Sequence, residues 1–219
     1  MDHRSQRLAD ARLYLVCDEP SDAFLDGALA AGVDVVQLRM KAAADEQILG
    51  AARRVARACA RHGALFILND RPDLVALVGA DGVHVGQDDM PVAQARSLVG
   101  ERAIVGLSTH SPAQVDAAGE LDVDYIGVGP VHETPTKPGR PAVGLDLVRY
   151  ASEHARMPFF AIGGISPANV ADVRAAGARR VAVLRALTQA RDAAAVTRQL
   201  RRALIAPEQR PSGAGVGSA

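Results

Sequence analysis

Several residue types that often dominate function are scarce in this chain of 219 residues. It contains no tryptophan, two cysteines (Cys17 and Cys59) and 3% aromatic residues. The cysteines lack the spacing of metal ligands, and no charged signal segment opens the sequence, so we expect a reduced, cytoplasmic protein. No apolar run approaches the roughly 18 residues that indicate a membrane span. The sequence therefore argues against cysteine-metal and transmembrane classes.

The chain also lacks an excess of charge of either sign. Lys+Arg and Asp+Glu number 25 each, which gives a formal net charge of zero. No overall field attracts nucleic acid or an anionic membrane, so neither is expected as a partner. An anionic ligand must then be held by a local group of cations, and the expected partners are small-molecule substrates.

What the sequence does contain is an alternation of short apolar runs with amphipathic segments of helix length, rich in Ala and Arg. The apolar runs predict eight strands, the number in a barrel: Leu13–Cys17, Val33–Leu38, Leu65–Leu68, Gly82–Val85, Ile104–Leu107, Tyr125–Val128, Pro158–Ile162 and Arg180–Leu184. Strands that alternate with helices form a parallel sheet. The predicted fold is one α/β domain, a TIM-type (β/α)₈ barrel over residues 11–205, and an open doubly wound sheet is the alternative.

Local signals mark helix ends within this pattern. Ser111 and Ser166 each precede a proline, which predicts a capping hydroxyl followed by a first-turn proline. Gly63 and Gly177 predict helix ends. The residues outside the barrel, 1–10 and 206–219, lack an apolar period or are small and polar, so both ends are expected to be flexible.

Polar residues follow most of the predicted strands. In a (β/α)₈ barrel the active site is built at the C-terminal ends of the strands, so these residues are the first candidates for function. They are Gln37-Leu38-Arg39-Met40-Lys41, Asn69-Asp70, Gly86-Gln87-Asp88-Asp89, Ser108-Thr109-His110, Thr134-Pro135-Thr136-Lys137, Gly163-Gly164 and Leu184-Arg185.

Two carboxylates and two cations in this set suggest a site for a metal ion and phosphate oxygens. Asp70 and Asp89 follow adjacent strands, where they can hold Mg²⁺ against phosphate oxygens. Arg39 and Lys41 can offset the remaining negative charge. The structural alternatives are that the aspartates stabilise a turn or cap a helix and that the cations are exposed to solvent. For Asp88 we expect helix capping or solvent exposure.

A second anion site is suggested on the far side of the barrel. Loops after strands seven and eight commonly bind phosphate through backbone N–H groups, which suits Gly163 and Gly164, although a tight turn needs glycine as well. Lys137 closes a Pro- and Gly-rich segment long enough to cover reactants. An exposed loop lysine is the alternative.

In order and spacing these segments resemble the thiamine-phosphate synthase family, and the resemblance covers nearly the whole barrel. It implies an alkyl/aryl-transferring enzyme with Mg²⁺ that joins a pyrimidine diphosphate to a thiazole phosphate, or its carboxylated form, and releases diphosphate. The metal ligands would be Asp70 and Asp89. The resemblance also implies the following catalytic residues: Arg39, Lys41, Ser108 and Lys137. It implies an overlapping set of residues that contact the substrates: Gln37, Leu38, Arg39, Met40, Lys41, Asn69, Ser108, Thr134, Pro135, Thr136, Lys137, Gly164, Leu184 and Arg185.

The chain departs from the family pattern at the end of strand eight, where Leu184-Arg185 stands in place of an Ile-Ser pair. We expect the Arg185 guanidinium to bind the thiazole phosphate. His84, His62 and His154 are read as structural. Two other functions stay open: thiazole tautomerisation, an isomerase reaction on the same barrel, and phosphate binding without catalysis.

Overall fold

The computed structural model describes residues 3–133 and 142–206 of the chain. Within these ranges eight parallel strands pair in chain order, and β8 pairs back with β1 to close a barrel. The strands are β1 Leu13–Cys17, β2 Val35–Leu38, β3 Leu65–Asn69, β4 Gly82–Val85, β5 Ile104–Thr109, β6 Tyr125–Val128, β7 Phe159–Ile162 and β8 Val181–Val183. The predicted (β/α)₈ barrel is confirmed, and the β1–β8 pairing is what an open sheet would lack.

Helices surround the strands and connect most of them. They are α1 His3–Asp10, α2 Asp22–Ala30, α3 Asp45–His62, α4 Val75–Val78, α5 Val92–Val99, α6 Pro112–Ala118, α7 Gly144–His154, α8 Val170–Ala175, α9 Arg185–Thr188 and α10 Ala193–Ile205, with a 3₁₀ turn at Pro72–Leu74. No helix in the described ranges is long and apolar enough to cross a membrane.

Alternate residues of each strand supply two separate cores. In β1, Leu13 and Leu15 pack outward with the helices, whereas Tyr14 and Val16 point into the barrel. Phe160 of β7 belongs to the same interior cluster. Side chains therefore fill the lower barrel, as the period of two along a strand requires.

The N-terminal residues pack against the end of the barrel. Residues 3–10 form α1, and Leu8 is buried with the residues of the barrel interior. Arg4 forms a salt bridge to Asp81, and Arg7 donates to the Gly63 carbonyl, both just before strands. The helix thus closes the N-terminal end of the barrel. Residues 207–219 of the expected C-terminal tail lie outside the described residues.

The predicted helix ends are partly right. Ser111 caps α6, since its hydroxyl accepts from the Gln114 amide with Pro112 in the first turn. Gly63 ends α3 in the left-handed conformation. The cap at Ser166 is wrong, because α8 begins at Val170 and the Ser166 amide instead donates to the Asn169 side chain. The loop after β7 is therefore longer than expected.

Candidate active site

A cavity of about 300 Å³ opens among the C-terminal ends of the strands. Its floor is aromatic: Phe160 packs edge-on against Tyr14 and Tyr125, with ring centroids 5.1 and 5.6 Å apart. The wall includes many of the predicted residues, namely Gln37, Arg39, Asn69, Ser108, Gly164, Leu184 and Arg185. The cavity can therefore hold a flat, largely apolar ring with polar groups above it.

An ion-pair cluster lies beside Asn69 at the rim. The Lys41 ammonium is 2.9 Å from a carboxylate oxygen of Asp70 and 3.5 Å from one of Asp89. Asn69 donates to Asp70 at 2.5 Å, and the Gly86 amide donates to Asp89. Three segments that follow different strands thus meet at one point, as the strand-end pattern predicts.

Asp70 has a left-handed backbone, with φ of 59°. This conformation is uncommon outside glycine, although the short side chain of aspartate tolerates it better than most. Strained residues of this kind concentrate at functional sites. The turn aims the carboxylate toward Lys41 and Asp89 rather than along the strand direction.

The two carboxyl groups differ in their affinity for a proton. Burial raises the pKa of Asp70, and its contacts with Asp89 act in the same direction, while Lys41 opposes both. Burial also acts to raise the pKa of Asp89, but the hydrogen bond with Asp70, Lys41 and the Gly86 amide together hold that pKa below its ordinary value. The pair therefore favours a positive charge between its members.

This donor set fits a hard divalent cation. The Lys41 ammonium already occupies a cation position shared by both carboxylates. Among the residues that the structure describes, no group of three or more His, Cys, Asp or Glu could hold a metal by itself. Two carboxylates suit Mg²⁺, which usually takes one or two from the protein and fills its other positions with water and substrate phosphate.

The residues around β2 separate into two groups. Gln37 and Arg39 line the cavity. Leu38 is buried between the barrel and the helices, and Met40 packs against the same core. The alternation along the strand places Leu38 outside the barrel, so its side chain does not reach the cavity.

At the opposite wall, Gly163 and Gly164 leave the backbone bare. Both have positive φ, and an added Cβ at Gly164 would lie 2.7 Å from the Cβ of His132. Arg185, the first residue of α9, lines the same cavity. This wall therefore combines glycine backbone with a guanidinium, which suits an anionic group.

Sequence reasoning missed a chain of hydrogen bonds across the cavity floor. The Gln37 amide nitrogen lies 2.8 Å from the Tyr14 hydroxyl, which lies 2.8 Å from the Tyr125 hydroxyl. His84 continues the chain, with Nδ1 3.0 Å from Tyr125 and Nε2 2.9 Å from the Ser108 hydroxyl. The prediction that His84 is only structural therefore missed its position in the cavity wall. The sequence signal that could have revealed this chain is the presence of polar residues at strand positions that face the barrel interior.

Both cysteines are buried, and burial raises the pKa of the Cys59 thiol to about 12.

Four predicted substrate contacts on the loop after β6 lie outside the described residues: Thr134, Pro135, Thr136 and Lys137.

Comparison with known proteins identifies the family. A family model described as thiamine monophosphate synthase matches residues 13–187. The chain belongs to this family. It is 50% identical over 209 residues to the thiamine-phosphate synthase of Thermobifida fusca, covering 92% of this chain and 95% of the relative. It is 54% identical over 194 residues to that of Acidothermus cellulolyticus, covering 85% and 92%.

The thiamine monophosphate synthase family also accounts for the barrel. A solved structure of thiamine phosphate pyrophosphorylase from Pyrococcus furiosus superposes with a TM-score of 0.83 at 30% identity, covering 92% of this chain and 98% of that one. The match extends over both walls of the cavity.

Proposed function

We propose that this chain is a thiamine-phosphate synthase, a transferase that joins 4-amino-2-methyl-5-(diphosphooxymethyl)pyrimidine to 4-methyl-5-(2-phosphooxyethyl)thiazole or its carboxylated form. The products are thiamine phosphate and diphosphate, and the carboxylated form also releases its carboxyl group as carbon dioxide. One observation carries the proposal: the carboxylate pair of Asp70 and Asp89 meets Lys41 at the rim of a cavity with an aromatic floor. Such a cavity suits a ring, and such a rim suits the diphosphate attached to it.

Asp70 and Asp89 are proposed to hold Mg²⁺, which when bound would offset charge on the diphosphate. With Mg²⁺ held by these carboxylates, Lys41 would contact the diphosphate together with Arg39. Asn69 orients Asp70 through its 2.5 Å hydrogen bond.

The reaction breaks the bond between the pyrimidine methylene carbon and the diphosphate oxygen, and a bond forms from the thiazole nitrogen to that carbon. Because the substrate supplies the attacking atom, the protein need not provide a nucleophile. Its proposed contribution is to stabilise the leaving diphosphate with Arg39, Lys41 and Lys137, and to align the second ring. Ser108 is proposed to contact the substrates at the cavity wall.

The thiazole phosphate is proposed to bind at the opposite wall. Gly164 offers backbone there, Arg185 offers a charge, and Leu184 borders the ring. Thr134, Pro135 and Thr136 are proposed to complete this site. Leu38 and Met40 keep a proposed contact with the pyrimidine substrate through their backbone groups, since their side chains pack elsewhere.

The test is to mix the purified protein with both substrates, with and without Mg²⁺, and to follow thiamine phosphate and diphosphate together. We expect both products in equal amounts and only with the metal. Asp70→Ala should lower turnover by about two orders of magnitude. Asp146→Ala, which removes an exposed aspartate on α7, is the matched control and should leave turnover unchanged.

The competing functions give different results in the same assay. A thiazole tautomerase would isomerise its substrate without the pyrimidine diphosphate and would release no diphosphate. A binding protein without catalysis would retain the thiazole phosphate and form no product. Absence of metal-dependent thiamine phosphate under varied conditions would overturn the proposed function.

A further inference from the structure

The hydrogen-bond chain on the cavity floor has a direction that its members impose on one another. A phenol carries one hydrogen and two acceptor lone pairs, so a buried tyrosine that accepts from one neighbour keeps its hydrogen bonded by donating to the next. Burial raises the pKa of both Tyr14 and Tyr125, which keeps both hydroxyls protonated. The direction of any one bond therefore fixes the direction of its neighbours.

In this structure the chain begins at Gln37. Its amide nitrogen donates to Tyr14, so Tyr14 donates to Tyr125, and Tyr125 donates to Nδ1 of His84. A neutral imidazole that accepts at Nδ1 carries its hydrogen on Nε2. His84 then donates to the Ser108 hydroxyl oxygen, which leaves the Ser108 hydrogen to be donated elsewhere.

The reverse pattern is self-consistent as well. Rotating the Gln37 amide would present its oxygen to Tyr14, and every bond would turn round until Ser108 donates to His84. A mixed pattern would set two donors or two acceptors against each other in a buried site, at a cost of about 1–3 kcal/mol. The amide orientation of Gln37 thus selects between two concerted states.

We infer that Tyr14 and Tyr125 are positioning residues that couple Gln37 to Ser108 across the barrel floor. They hold His84 as the Nε2–H tautomer, so that Ser108 is a donor while Gln37 keeps its side-chain oxygen as an acceptor. The part of this inference that concerns the substrate rests on the proposed function. The floor then selects a ring that offers a donor toward Gln37 and an acceptor toward Ser108, as an aminopyrimidine does.

Packing around the tyrosines restrains them in this arrangement. A Cβ at Gly106 would lie 2.2 Å from the Tyr125 ring, so glycine on β5 provides the space for that ring. Phe160 contacts both tyrosine rings edge-on. His84 lies with its ring 5.5 Å from that of Tyr125. Rings packed from several sides cannot readily swing out of the chain.

The direct test is ¹⁵N NMR of the substrate-free protein with labelled histidine, the His84 signals being assigned by their loss in His84→Gln. We expect a protonated Nε2 and an unprotonated Nδ1. Tyr14→Phe keeps the ring and removes a hydroxyl that does not touch His84, so both directions become possible and both tautomers should appear. Tyr125→Phe should do the same. Tyr150→Phe, which removes a hydroxyl bonded to Asp116 on the outer helices, should change nothing.

Two NMR outcomes would overturn the inference. A protonated Nδ1 in the unaltered protein would mean that the chain runs the other way. An unchanged tautomer in Tyr14→Phe, with a change in Tyr125→Phe alone, would reduce the chain to a local contact between Tyr125 and His84. Circular dichroism of each variant verifies that the barrel is intact.

Kinetics tests the link to the substrate separately. In Tyr14→Phe the KM for the pyrimidine diphosphate should rise about three- to tenfold, which corresponds to the free energy of one neutral hydrogen bond to the substrate. The KM for thiazole phosphate should stay constant. Unchanged KM values would overturn the link to the substrate. If the unaltered protein makes no thiamine phosphate, the proposed function fails. The NMR experiment still decides whether the two tyrosines couple Gln37 to Ser108.

Discussion

Asp70 is the residue at which backbone strain and chemistry coincide. Its left-handed φ of 59° directs a half-buried carboxyl toward Asp89 and Lys41. A non-glycine residue in such a conformation costs on the order of 1–3 kcal/mol. The strain is tolerated because β3 ends there and the chain must turn to bring the carboxylate to the rim.

This strain can be separated from the function of the carboxylate by two substitutions. Asp70→Gly and Asp70→Ala both remove the carboxylate, so we expect both to lose Mg²⁺-dependent turnover. Glycine accepts positive φ without penalty, whereas alanine does not. The glycine variant should therefore be the more stable by about 0.5–1.5 kcal/mol in urea unfolding. Equal stability of the two would contradict the strain.

Arg185 is the residue at which the chain departs from the pattern of its family. It lines the cavity wall that also contains Gly164. A charge-assisted hydrogen bond to the thiazole phosphate is worth roughly 1.5–3 kcal/mol. Arg185→Ala should raise the KM for thiazole phosphate about ten- to a hundredfold, and the KM for the pyrimidine diphosphate should change little.

Steady-state kinetics with each substrate varied in turn measures this effect. Arg179→Ala is a suitable control, since Arg179 precedes β8 at the other end of the barrel and its side chain is exposed. A lower melting temperature with an unchanged KM for thiazole phosphate would assign Arg185 a structural role instead.

At the scale of elements, the connection after β3 is clamped to α3. The Arg71 guanidinium contacts Asp45 in the first turn of α3 at 2.5 Å and Asp73 in the 3₁₀ turn at 2.6 Å. These contacts raise the pKa of Arg71. The segment that carries Asp70 is thus tied at the residue that follows it.

We predict that losing this clamp weakens metal binding before it weakens the fold. Arg71→Ala should lower Mg²⁺ affinity by about 10- to 100-fold, as the loss of a residue that orients a ligand does. Titration calorimetry with Mn²⁺ measures binding, and a Mg²⁺ titration of turnover should show recovery at high metal. Arg71→Lys should recover part of the loss, because an ammonium cannot span both carboxylates as the guanidinium does. Unchanged metal affinity would contradict the positioning role.

The α1 helix has a separate role at the other end of the barrel. Leu8 is 3% exposed and packs with the interior residues, so it closes the barrel core. Leu8→Ala should lower the free energy of unfolding by about 2–5 kcal/mol, as for other buried leucines. Gln6→Ala on the exposed face is the control. A loss below about 0.5 kcal/mol would mean that α1 is not part of the core.

At the scale of the whole molecule, barrel closure brings together what the chain keeps apart. Tyr14 and Tyr125 are 111 positions apart and share a hydrogen bond. Lys41 reaches carboxylates that follow β3 and β4. A parallel barrel places all its strand C-termini on one side, so one cavity receives residues from nearly every strand.

The sequence by itself determined the strands and the rim. Each strand is an apolar run, and most runs are followed by polar residues that a parallel barrel must place at the same end, so Asp70 and Asp89 could be paired from the pattern. The end of α3 was predicted as well, because Gly63 follows it in the left-handed conformation that glycine favours.

Only the tertiary structure decided the rest. The α1 helix has one buried leucine to reveal it, and its role depends on the open end of the barrel beneath it. The orientation of the cavity floor depends on hydrogen bonds between distant strands, whose register no local pattern encodes. Periodicity tells which face of a strand is buried, but it cannot tell which buried polar groups meet, because that follows from the closure of the barrel.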